Sequence, residues 1–305
     1  MIVLENVTKS FRKQRVLDAL SLDIAKSDRV ALIGSNGAGK TTLIRCLLGE
    51  YVYDGVIEVF GRSPRTQRSA VLAGIGFVPQ LPPPLRMPVA ELVRFSARVS
   101  GCEEAPIAAV MGELGLDLAE VGSKPFVRLS GGQKQKILAA IALGRPTSLL
   151  ILDEPTANLD PAARKALFDL LAKRGGDPMI VSSHRLEEVA GLVNRVIEMD
   201  RGRVVLDDRV ADSGDPRRRL RCTIRLARDE PAFARAIAEW GFLRESGGCD
   251  WKGNVPAPDR LRFLGFMARY AGLVMELRLE TIEDAADLGK SAAARSEGDA
   301  RIPLR

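Results

Sequence analysis

One stretch limits the possible folds more than any other: GSNGAGKTT at residues 34–42. It fits the pattern G-x-x-x-x-G-K-[S/T] in the setting that pattern needs. The compact apolar run RVALIG (29–34) precedes it, and TTLIRCLLGE, which reads as a helix, follows. An apolar run of that length ending in glycine is expected of a strand buried on both faces. Gly34, Gly37 and Gly39 let backbone N–H groups crowd around phosphate oxygens, where a side chain would block the approach or resist the required φ/ψ. Ser35, Asn36 and Ala38 complete the loop. The helix starting near Lys40 offers unpaired N–H groups and the positive end of its dipole. Lys40 supplies a point charge to the outer phosphates, Thr41 brings a hydroxyl to Mg2+, and Thr42 belongs to the same stretch.

The rest of the chain arranges itself around this loop. IVLENVTKSF and VLDALSLDI alternate apolar and polar side chains, as half-buried strands do. GVIEVFG (55–61) and GIGFVPQ (74–80) read as further strands. LPPPLRMP (81–88) then breaks the pattern, and helical stretches follow at Val89–Val99, Pro106–Leu116 and Gly132–Leu143. The α/β pattern resumes with strand LLILD (149–153), helix Pro161–Lys173, strand MIVSS (179–183), a helix over 185–191, and the hairpin VIEMDRGRVVLD (196–207) turning at Arg201–Gly202. Strands alternating with helices imply a mainly parallel sheet covered on both faces. The expected fold class is therefore α/β, a P-loop NTPase with a β region at the start and a helical subdomain at about 81–145. After a polar, basic hinge (213–219), residues 220–288 read as strand, helix, two short strands, helix and strand. That is a small α+β domain of βαββαβ, ferredoxin-like order. Residues 289–305 read as a tail.

Three more motifs bear on chemistry. In LLILDEP (149–155), Asp153 ends a buried strand and can reach the Mg2+ shell beside Thr41, while Glu154 can face the γ-phosphate and polarise a water. Adjacent carboxylates at a strand end are common and mean little alone; beside the phosphate loop they form its expected partner. In LSGGQKQKILAAIALG (129–144), Ser130 has the character of an N-cap, and Gly131 and Gly132 leave the helix start bare as a second anion site. SGG alone reads as a plain capped helix; the full LSGGQ, ending at Gln133 sixteen residues before LLILDEP, reverses that preference. His184, in VSSHRLEEVA, is the only histidine of the chain, and a lone histidine is by default a core residue.

The order of GSNGAGKTT, LSGGQ, LLILDEP and SSH resembles the nucleotide-binding subunit of ABC transporters, over residues 1 to about 212. The resemblance implies ATP hydrolysis with Mg2+, with Glu154, His184 and Gln80 as the catalytic set and Thr41, Gln80 and Asp153 around the metal. It makes Phe11 of TKSF the aromatic that stacks on adenine, although Phe11 alone would read as core. Gln80 of FVPQ would contact Mg2+ and the attacking water. Asp160 of ANLD would lie at a dimer seam against the opposite chain, and His184 would hold the γ-phosphate. Lys134 and Lys136 stand where many members carry Arg, which keeps the charge and loses bidentate reach. Two copies would sandwich two ATP, each nucleotide lying between the phosphate loop of one chain and Ser130–Gln133 of the other. The helical block would carry the motion to a separate membrane permease, docking in the region after Gln80. The layout resembles most the ATPases of ABC-2-type exporters, with the last domain read as a packing or dimer-stabilising element, or less simply as a ligand sensor.

A soluble ABC-type ATPase acting on ribosomes or DNA is the alternative. Ribosome-acting relatives usually carry two cassettes, and DNA-repair relatives insert long coiled coils. Here there is one cassette, with an insert of about 50 residues lacking sustained heptads. A sensor without turnover would need degraded motifs, and these are intact. Net charge is +6 with pI about 9.3, compatible with anionic ligands, nucleic acid or an anionic membrane and selecting none of them; the resemblance calls for no nucleic acid. The scattered Cys46, Cys102, Cys222 and Cys249 lack zinc or redox spacing, which favours a reducing compartment. MIVLENVTKS enters a strand pattern directly, with no signal segment, and the longest apolar run, ILAAIALG, is too short to span a bilayer. The expected location is the cytoplasmic face of the inner membrane, reached through the permease.

Overall fold

Val30, Ala31 and Leu32 are all buried, so β3 (Arg29–Ile33) has no face for water and sits inside a sheet. In this computed structural model it lies fourth in the order β5 (Ile75–Val78), β6 (Leu149–Asp153), β7 (Met179–Ser182), β3, β8 (Arg195–Asp200), β9 (Arg203–Arg209). The first five strands run parallel and β9 returns antiparallel. Arg201 (φ 46°) and Gly202 (φ 79°) make the turn, both central residues in the left-handed region as a two-residue hairpin requires. The structure describes residues 1–12, 14–184, 186–209, 219–245, 249–256, 259–268, 270 and 272–281. The chain divides into two units, Met1–Arg209 and Val210–Arg305.

A second, antiparallel sheet in the first unit has the order β2 (Gln14–Ile24), β1 (Ile2–Phe11), β4 (Asp54–Val59). Its buried side chains, among them Ile2, Leu4, Leu17 and Ile57, share one core with Ile151, Ile180 and Ile197 of the parallel sheet. α1 (Lys40–Leu47) contributes Leu43, Ile44 and Leu47 to the same core, which fixes the direction in which its N-terminus points. Arg29 anchors β3 from below: its guanidinium donates to the carbonyls of Leu171, Arg174, Asp177 and Leu192.

The helical block contains α3 (Val89–Ser100), α4 (Glu104–Glu113), α5 (Leu118–Val121) and α6 (Gly131–Leu143), with α6 packed on β5 and α4. α2 (Arg68–Ala73) and α5 have no counterpart in the sequence reading. α7 (Pro161–Lys173) and the one-turn α8 (Leu186–Val189) follow β6 and β7. In the second unit β10 (Arg219–Leu226), α9 (Pro231–Ala238), β11 (Leu243–Arg244), β12 (Asp250–Pro256), α10 (Arg260–Ala268) and β13 (Val274–Thr281) make a βαββαβ unit with sheet order β11-β12-β10-β13. Cys222, Ile224, Phe233, Trp251 and Phe263 form its core. Positions 213–218 of the expected hinge, 282–288 of the expected domain and the tail 289–305 lie outside the described residues. No helix among the described residues is long and apolar enough to cross a membrane.

Candidate active site

The chain leaves β3 through Gly34 and enters α1 at Lys40. Gly34 has φ 144°, and a Cβ there would stand 2.3 Å from the Met199 carbonyl oxygen, so backbone of β8 rules out any side chain. Gly39 has φ 109° and caps α1 without a side-chain hydrogen bond, which leaves the helix start open to an anion. Lys40 is buried and turned back over the loop, its Nζ donating to the carbonyls of Gly34 (2.6 Å) and Ser35 (3.1 Å). Burial pulls its ammonium below the usual lysine range, and the carboxylates of Glu154 and Asp153 oppose that shift. A cavity of about 190 Å3 opens here, lined by loop residues 35–42 with Val16, Gln80 and Glu154.

Register decides the rest. β6 and β7 pair so that Asp153 faces Ser182. The Ser182 hydroxyl donates to Asp153 Oδ1 (2.6 Å) and accepts the Glu154 N–H (2.9 Å), so one side chain fixes both acidic residues. Glu154 itself sits at φ 48°. Its carboxylate is held on both sides: Gln80 Nε2 donates to Oε2 (2.9 Å), and His184 Nε2 lies 2.5 Å from Oε1. The three residues expected to act on water thus meet at one carboxylate. His184 differs from expectation in one respect. It does not line the phosphate-loop cavity; it meets Glu154 and lines a neighbouring cavity of about 220 Å3 with Thr156, Arg164 and Glu188. The reason is geometric: the strand ends at Ser182, level with Asp153, and His184 lies two residues beyond, past the level of Glu154, where its Nε2 meets the Glu154 carboxylate.

The donors available to a metal are the Thr41 hydroxyl, the Asp153 carboxylate and Gln80. Because Gln80 spends its amide nitrogen on Glu154, its amide oxygen is left as an acceptor. An all-oxygen set with few protein ligands fits Mg2+ bound through phosphates. No group of three or more His, Cys, Asp or Glu among the described residues is arranged to hold a metal alone.

The LSGGQ residues and Asp160 stand apart from both cavities. Neither Ser130–Gln133 nor Asp160 lines them. The start of α6 is less bare than its glycines suggest. Ser130 Oγ accepts the Gln133 N–H and Gln133 Oε1 accepts the Ser130 N–H, because S-x-x-Q closes a capping box. Gly131 and Gly132 remain as the amides nearest an outside anion. Asp160 caps α7 through the Ala163 N–H, which holds its carboxyl below the usual range, and lies 3.5 Å from Lys136. Phe11 ends β1, is 40% exposed, and packs edge-on against Tyr51 (5.1 Å) with Lys9 over its ring. It does not line the phosphate-loop cavity. The sequence reading missed Ser182 as an organiser of the site and missed Arg164 and Glu188 altogether. For Ser182 the signal was present, a hydroxyl at the tip of a strand beside LLILD.

A profile of the ABC transporter family matches residues 17–157. The Nod factor export ATP-binding protein I of Paraburkholderia xenovorans is 36% identical over 218 residues, covering 68% of this chain and 70% of that protein. The human phospholipid-transporting ATPase ABCA7 is 32% identical over 277 residues; these cover 85% of this chain and 13% of the length of that much longer protein. Among solved structures, the dimeric post-hydrolysis state of the ATP-binding cassette MJ0796 bound to ADP and Pi superimposes with a TM-score of 0.61 over 68% of this chain and 98% of that one, at 22% identity.

Proposed function

Because this chain belongs to the ABC transporter family, whose cassettes bind and hydrolyse ATP, we propose that two copies of it close around two ATP and drive a separate membrane permease that exports its cargo. The observation that carries the reading is the Glu154 carboxylate, held between Gln80 and His184 at the wall of the phosphate-loop cavity.

The loop amides and the α1 terminus receive the phosphates. Lys40 exchanges its two carbonyl contacts, charge-assisted bonds of about 1.5–3 kcal/mol each, for bonds to phosphate oxygens in which both partners are charged, so the exchange is favourable. Thr41, Asp153 and the Gln80 amide oxygen would hold Mg2+, which would supply positive charge against the phosphates. Glu154 takes the proton of the attacking water, and His184 passes from Glu154 to a γ-phosphate oxygen, which frees the carboxylate for that role. The adenine stacks on Phe11, exposed at the end of β1.

Two copies are needed because Ser130–Gln133 and Asp160 lie outside the cavities of their own chain. In the closed pair they cover the γ-phosphate held by the partner's loop. Charge-assisted hydrogen bonds of about 1.5–3 kcal/mol each then make ATP the cross-link. Hydrolysis removes those contacts and the pair reopens, a population shift with ATP as effector. The dimer of the solved cassette MJ0796 with ADP and Pi supports such an arrangement, and the Nod factor export relatives support an exporter. Glu154→Gln tests the reading. It is expected to cut ATP turnover at least about a hundredfold while trapping an ATP-bound dimer. Turnover at the wild-type rate removes Glu154 from its assigned role.

A further inference from the structure

We propose that Glu188 is a positioning residue for the hydrolytic pair: through Thr156 and Arg164 it fixes the place beside Glu154 from which His184 reaches the γ-phosphate. The inference rests on the roles given above to Glu154 and His184. α8 begins two residues after His184 and is a single turn, too short to hold its own place. Its anchor is Glu188, whose side chain is 17% exposed. Glu188 Oε2 accepts from the Thr156 hydroxyl and Oε1 from Arg164 Nη1, each at 3.3 Å. Thr156 lies two residues beyond Glu154, so the contacts close a ring: Glu154 to His184, along the chain to Glu188, across to Thr156, and back along the chain to Glu154. All four side chains face the same cavity.

Arg164 extends the ring to a second place. It lies on α7, which Asp160 caps, so whatever moves His184 is felt at the ANLD segment. The Arg164 Nε is buried without a hydrogen-bond partner, so the contact of Nη1 with Glu188 is what fixes this guanidinium among the described residues. Part-exposed pairs of this kind add little to global stability. Their consequence is placement, and a displacement of about 1 Å at a reacting group can cost about a hundredfold in rate.

The test uses the full chain with Glu188→Ala, Glu188→Gln, Arg164→Ala, Arg164→Lys and the Arg164→Ala/Glu188→Ala double variant. The readouts are ATP turnover and the imidazole NMR signals, which belong to His184 alone because the chain has one histidine. Glu188→Ala should lower kcat about tenfold or more with KM for ATP within about threefold of wild type. It should also shift or broaden the His184 resonances in the nucleotide-free chain. The double variant should be no slower than the slower single one, and Arg164→Lys should recover part of the loss. Wild-type kcat in folded Glu188→Ala, or a fall in kcat with unmoved His184 resonances, overturns the proposal. If Glu188→Ala does not fold, Glu188→Gln, which keeps the volume and an acceptor for Thr156, is read by the same criteria. The NMR readout does not depend on turnover. Unmoved resonances alongside a slow Glu154→Gln sink this inference alone, whereas a fast Glu154→Gln sinks the reading beneath it.

Discussion

Glu154 sits at φ 48°, a conformation that costs a side-chain-bearing residue about 1–3 kcal/mol and persists only where neighbours hold it. The neighbours are identifiable: Ser182 takes its N–H, and Gln80 and His184 take its carboxylate. Lys40, Thr41, Asp153 and Glu154 were legible from spacing alone, since each lies within a contiguous motif. Ser182 left a partial signal, a hydroxyl at a strand tip, but its partners depend on how β6 and β7 are registered; Arg164 and Glu188 left none, because their contacts depend on how α7 and α8 pack. Cys46 gives a residue-scale prediction of another kind. It is fully buried on α1, and burial pushes its thiol up to about 11, Lys9 opposing. Its folded pKa is above the unfolded one, so the contribution is complete below about pH 8.5 and is lost as pH rises through 11. Between pH 8 and 11 the first unit should lose about 2–3 kcal/mol through this thiol. Denaturant midpoints at the two pH values should therefore fall less in Cys46→Ala than in wild type; equal falls would remove Cys46 as the cause.

At the scale of elements, the helical block hangs on a close approach. A Cβ at Gly144, just past α6, would stand 2.6 Å from the Ile107 Cα of α4. Its φ is ordinary, so the obstacle is backbone contact and not conformation. Gly144→Ala should force α4 and α6 apart and destabilise the chain by about 1–3 kcal/mol, read as a lowered Tm; an unchanged Tm would mean the contact is slack. The elements that sequence periodicity reached were the long ones. α3 and α6 begin at or within one residue of their expected starts, and the βαββαβ order of the second unit holds in the sheet order β11-β12-β10-β13. α2 and α5 span six and four residues, too short for a 3.6-residue period to show. The capping box at Ser130 was spelled out in SGGQ, yet the glycines drew the reading toward a bare helix start.

At the scale of the whole molecule, one chain carries two groups of proposed site residues that line no common cavity. The phosphate loop, Gln80, Glu154 and His184 cluster together, while Ser130–Gln133 and Asp160 are built on α6 and α7 and face neither cavity. A second copy related by two-fold symmetry would complete both pockets at once, because an isologous interface pairs each half with its complement. The direct measurement is nucleotide occupancy of a tagged heterodimer in the Glu154→Gln background, one chain carrying Lys40→Ala and the other Ser130→Arg. Shared pockets place both lesions in a single site and leave the other intact, so one ATP is trapped per heterodimer, while neither mutant homodimer traps any. If each chain closed its own pocket, both sites of the heterodimer would carry a lesion, and finding no trapped ATP would contradict the account.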